Sequence, residues 1–256
     1  MKKTLAIIAM VVGAGTMNAQ LTSKKGENYL PQSGDWSIGI DGTSALGYFG
    51  NMLNNSADNG MSFDFSNDAN MITGKLFIND NTAYRAALRI GMGSATSQVA
   101  SLDSIGAFDD VKSSGSFIGI AGGIEKRRGT TRLQGYYGGM AMLAFQNGKT
   151  ETTYVKPNQV GQITATEDGA NIGFGVRGFI GVEYFVLPKI SIGGEFGWGL
   201  MFSKAGAGST TAVTLDANGN TTSTTTDGAS SSSFSIDTDN AAFGMSPAAV
   251  MINFHF

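Results

Sequence analysis

His255 is the only histidine of the 256-residue chain and there is no cysteine, so a multi-histidine metal site, a thiolate site and a disulfide are all excluded. A serine hydrolase needs only one histidine beside its nucleophile and acid. His255, however, is the penultimate residue, and the strand order below puts it at the opposite rim from the hydroxyl-rich segments. It reads as an inward or interfacial residue at the lower rim. Gly173, Gly175 and Gly178 satisfy G-x-G-x-x-G, but that fingerprint needs a strand before it and a helix starting within it. Here the alternation of Ile172, Phe174 and Val176 runs straight through the motif. Asp216, Asn218, Asn220 and Asp227 are similar to an oxygen-rich calcium loop, yet Thr221 stands where the loop needs glycine and Asp227 replaces its final glutamate. No catalytic, cofactor or metal-ligating residue is therefore expected, and the chain is read as having no enzymatic activity.

The remaining candidates are charges. Asp41, Lys75, Arg85, Arg89, Glu125, Arg177, Glu183 and Glu195 each fall on the face opposite an aliphatic stripe of period two, as on a strand. Two apolar stripes show the pattern well: Ile172, Phe174, Val176, Ile180, Val182 and Tyr184, then Ile190, Ile192, Phe196, Trp198, Leu200 and Phe202. The same alternation predicts strands near 35–46, 71–78, 82–93, 116–126, 131–145, 170–186, 190–202 and 248–256. Turns near 79–81, 127–130 and 187–189 are short, whereas the segments near 47–70, 95–115, 146–169 and 203–240 are long. Eight strands with short turns at one end and long loops at the other predict an all-β, eight-stranded antiparallel up-and-down transmembrane β-barrel over 35–256. Its lumen would be filled by a salt-bridge network of the eight charges, since eight strands leave an interior just wide enough for side chains. A conducting lumen is the competing reading.

Lys2 and Lys3, the apolar run Leu5 to Ala14 and the small residues before Gln20 read as a signal peptide cleaved after Ala19, too short for a spanning helix of about 18 to 20 apolar residues. Residues 20–34 would then be a periplasmic N-terminal segment. The formal charge of -3 becomes -5 once Lys2 and Lys3 leave, and no basic patch suggests nucleic acid. Glycine, at 37 residues, sits largely inside alternating stretches, where it permits close backbone approach and strong curvature. The threonine- and serine-rich runs 221–226 and 229–235 read as a low-complexity loop.

The signal segment and the strand-turn-strand unit Ile72 to Gly93, with Asn79-Asp80-Asn81 at its turn, are two of the features that carry a family resemblance. The others are the stretches Gly122-Gly123-Ile124-Glu125-Lys126-Arg127 and Gly135-Tyr136-Tyr137-Gly138-Gly139, and the terminal Phe256. Together they resemble the small outer-membrane β-barrel proteins of Bacteroidota, a family broadly similar to the OmpA membrane domain and OmpX. The resemblance implies a cell outer membrane location and recognition of Phe256 by the outer-membrane assembly machinery. The expected partners are outer-membrane lipid and lipopolysaccharide, that machinery with periplasmic chaperones, and an extracellular ligand bound through the loops. A monomeric structural or surface-interaction role is expected, with a narrow channel for ions or small solutes and a loop-borne adhesin as alternatives.

Overall fold

The computed structural model describes residues 21–42, 72–101, 106–154, 163–215, 220–237 and 248–256. The expected signal peptide, the segment near 47–70, and Asp216 and Asn218 lie outside them. Twelve strands form: β1 (Trp36–Asp41), β2 (Ile72–Asn79), β3 (Thr82–Ala100), β4 (Phe108–Arg128), β5 (Leu133–Thr153), β6 (Ile163–Glu167), β7 (Asn171–Leu187), β8 (Ile190–Ala205), β9 (Ser209–Leu215), β10 (Thr221–Asp227), β11 (Ser231–Asp237) and β12 (Ala248–His255). All pair antiparallel, in the order β10-β9-β6-β5-β4-β3-β2-β1-β12-β8-β11, with β7 off this path and bonded to both β5 and β8.

Short turns set the register. The Asn79 side chain accepts a hydrogen bond from the Asn81 backbone N–H at 3.0 Å, closing the β2–β3 turn. Lys189 turns β7 into β8 with a φ of 67°, in the left-handed region. At the chain end, Trp36 and Phe256 exchange backbone hydrogen bonds of 3.2 and 2.8 Å. Their rings stack with centroids 4.4 Å apart.

The eight-stranded up-and-down transmembrane barrel is corrected by this architecture. The sheet has twelve strands, not eight: β1, β2, β3, β4, β5, β7, β8 and β12 pair in turn and β12 returns to β1, while the path also runs out to two edge strands, β10 and β11, and β3 beyond Leu88 is bonded only to β4 among the described residues. The reason lies in segments expected as loops. β5 runs on to Thr153 and carries β6, β9 and β10 beside its far end, so that Thr150, Thr166, Thr210 and Thr226 stand in one row across four strands. β-branched threonine suits a pleated surface, and hydroxyl pairs such as Thr166 with Thr210, 3.3 Å apart, link neighbouring strands. β11 pairs with the upper half of β8, setting Phe234 opposite Phe202 and Ile236 opposite Leu200. The integral-barrel function, its channel and loop-adhesin alternatives, and a porin-like description fall with that architecture. No helix among the described residues is long and apolar enough to cross a membrane, which says nothing about strands.

The sheet curls so that one face becomes an interior, and the usual partition of side chains is inverted. Polar and charged side chains outnumber apolar ones among the buried residues, while large apolar side chains cover the outer face. One outer row reads Ile72, Leu88, Ile120, Leu143, Phe174, Phe202, Phe234 across seven strands in register. All seven are exposed, from 38% at Leu143 to 64% at Phe234.

Candidate functional site

The interior holds an ionic cluster built from six strands. β2 supplies Lys75, β3 Arg85, β4 Glu125 and Arg127, β7 Arg177 and Glu183, β8 Ser191 and Glu195, and β12 Asn253 and His255; all are buried. Each occupies the strand parity opposite the aliphatic stripe, so the period-two backbone turns them inward together.

Glu183 and Glu195 are the two hubs. Glu195 accepts from Arg85 Nη1 and Arg177 Nη1, both at 2.6 Å. Glu183 pairs with Arg127, lies 3.6 Å from Lys75 Nζ, and accepts hydrogen bonds from Ser191 Oγ and, at 2.7 Å, from Asn253 Nδ2. Glu125 bridges the two groups, with Lys75 at 3.1 Å, Arg85 at 3.5 Å and Arg127 at 3.7 Å. The Arg85–Glu195 and Lys75–Glu183 contacts join strands that are not neighbours in the sheet, so they fasten the curl across its interior.

Aromatic faces cover the cations. Arg85 lies 4.2 Å from the Phe179 centroid, Lys75 4.8 Å from that of Tyr136, and Arg127 within 5.3 and 5.5 Å of Phe77 and Phe185. Four cations, Lys75, Arg85, Arg127 and Arg177, meet three carboxylates, Glu125, Glu183 and Glu195. Several guanidinium edges, including Arg85 Nε, Arg127 Nε and Arg177 Nε, have no hydrogen-bond acceptor.

Of the eight charges singled out in the sequence, Lys75, Arg85, Glu125, Arg177, Glu183 and Glu195 meet here. Arg89 is half-buried, with its guanidinium 4.4 Å from the Phe117 ring centroid. The side chain of Asp41 lies outside the described residues. Arg127, Ser191 and Asn253 belong to the cluster although the sequence did not single them out. Arg127 stands at the edge of the expected 127–130 turn with the parity of Glu125, and Ser191 and Asn253 carry no charge to draw notice; shared parity with Glu125, Glu195 and His255 is the available signal.

Ser191, His255 and Glu183 superficially suggest a hydrolytic triad. Ser191 Oγ lies 3.1 Å from His255 Nε2, but Glu183 Oε1 faces that same nitrogen at 3.5 Å, while Nδ1 has no partner. In a relay the acid holds one ring nitrogen and the nucleophile the other. Here both compete for one, and Ser191 is fully buried, so the trio serves as part of the ionic packing. The glycines of the G-x-G-x-x-G lie within β7, with no helix. Asp227 closes β10 opposite Ser209, as a strand residue.

No family model and no curated protein matches the chain. Among solved structures, the chain is similar to the crystal structure of a major outer membrane protein from Thermus thermophilus, with 10% identity, a TM-score of 0.32, and coverage of 87% of this chain and 98% of that one. At that score the likeness carries no argument about fold or activity.

Proposed function

We propose that this is an outer-membrane protein with a structural role, held against lipid by the apolar outer face of its sheet and stiffened by the ionic cluster inside. The observation that carries the reading is the unbroken row from Ile72 to Phe234, exposed across seven strands. Soluble monomers rarely expose contiguous apolar patches beyond a few hundred Å². Against acyl chains the same surface is matched in polarity, and the charges of the buried cluster are kept on the other side of the sheet, where pairing offsets their desolvation. The signal-like N-terminus supports export, and Phe256 is the residue read as the assembly signal. Fractionation of the envelope on a density gradient, followed by alkaline carbonate extraction, tests the reading. The chain is expected in the outer-membrane band and resistant to extraction. Recovery as a soluble periplasmic or cytoplasmic protein would overturn it.

A further inference from the structure

The glycines of the sheet fall into two groups. A Cβ built on the inward Gly193 would meet the Val182 carbonyl oxygen at 2.9 Å, and on the inward Gly197 it would collide with the Arg177 guanidinium. There glycine is required by the packed interior. On the outer face a Cβ at Gly194 meets nothing within 4 Å, and at Gly135 the nearest atom is the Arg128 carbonyl oxygen at 3.9 Å. Nothing among the described residues demands glycine at these two positions.

Their effect is a groove of about 740 Å³ across the outside of β5, β7, β8 and β12, in the size range of small-molecule sites. Gly135, Val182, Gly194 and Val250 stand in one register row as its floor, and Tyr137, Ile180 and Phe196 form the row that walls it. Arg128 continues the floor row at the last residue of β4, exposed and without an ion pair among the described residues. Lys126, two residues earlier on the same face, donates to Thr82 Oγ1 at 2.9 Å. An apolar channel ending in an unpaired guanidinium is complementary to an acyl chain that ends in an anion. A zwitterionic lipid sets its own cation beside the phosphate and so answers Arg128 less well than an anionic one, and a free phosphate would leave the groove unfilled.

We infer that the groove holds one glycerophospholipid with an anionic headgroup, its acyl chain over Gly135 and Gly194 and its phosphate on Arg128. This rests on the lipid-facing reading above. Native mass spectrometry of the full chain in non-ionic detergent, titrated with phosphatidylglycerol or phosphatidylcholine of matched chains, tests it. The expected result is a one-to-one phosphatidylglycerol adduct at a lipid concentration at least about tenfold lower than for phosphatidylcholine. Gly194→Leu, which the open Cβ position accommodates, should weaken that adduct by about tenfold or more, and Arg128→Gln should bring the two lipids within about twofold of each other. Gly74→Leu, at an outer glycine outside the groove whose Cβ has 3.7 Å of clearance, should leave binding unchanged. Undiminished binding by Gly194→Leu, or an anionic preference retained by Arg128→Gln, would overturn the inference. An outer-membrane, carbonate-resistant chain that gives no adduct would sink the groove alone, whereas a chain soluble without detergent would sink the lipid-facing reading with it.

Discussion

Glu183→Gln is the sharpest perturbation of the ionic interior. The amide keeps the shape of the carboxylate but removes the charge on which Lys75 and Arg127 converge, and it alters the acceptor shared by Ser191 and Asn253. The interior then holds four cations against two carboxylates. The Arg127 and Glu183 side chains are 1% and 0% exposed, so solvent does not screen the loss. Breaking a buried pair by removing one partner costs about 3–5 kcal/mol, and retained amide hydrogen bonding favours the lower end. About 3 kcal/mol corresponds to a shift of about 1–3 M in the urea midpoint for slopes of about 1–3 kcal/mol/M. The assay is urea unfolding of the chain in a fixed detergent, followed by circular dichroism, for wild type, Glu183→Gln, Arg127→Met and the double variant. The double variant should be less destabilised than the sum of the singles, with a coupling of about 1–3 kcal/mol. A midpoint shift below about 0.3 M, or additive singles, would refute the idea that these charges are held as a unit.

Three further outcomes follow from the same geometry. Gly197→Ala should cost about 1–3 kcal/mol, because its Cβ runs into the Arg177 guanidinium, whereas Gly194→Ala should stay within about 0.5 kcal/mol; paired urea curves check the contrast. Phe256→Ala removes the ring stacked on Trp36 and should lower stability by about 0.5–1.5 kcal/mol beyond the lost area, read from the same curves in a cycle with Trp36→Ala. Phe234→Lys places a charge on the apolar row at a 64% exposed position and should reduce recovery of the chain in the carbonate-resistant fraction, while Ser232→Lys, two residues along the same strand face, should reduce it less.

Period-two alternation assigns a residue to a face with no tertiary information, because successive side chains of a strand point oppositely. That is why the segments that became β7 and β8 could be read from Ile172 to Tyr184 and from Ile190 to Phe202. The same rule is silent where both faces are polar. Thr221–Asp227 and Ser209–Leu215 offer little apolar contrast, so β9 and β10 read as loop, although threonine is a good strand residue. The strand count and the branched sheet path were lost with them. β11 carried a faint signal in Phe234 and Ile236, masked by the serines around them. Which charges meet was not legible either. The Arg85–Glu195 contact joins residues 110 positions apart on strands that are not sheet neighbours, and depends on how far the sheet curls.

The proposal of a lipid-facing exterior is tested most directly with the two tryptophans, Trp36 and Trp198, which are 46% and 48% exposed on the outer face. After reconstitution into vesicles, their fluorescence should be quenched by phospholipids brominated along the acyl chain and protected from aqueous iodide. Quenching by iodide with no response to brominated chains would contradict a lipid-facing exterior.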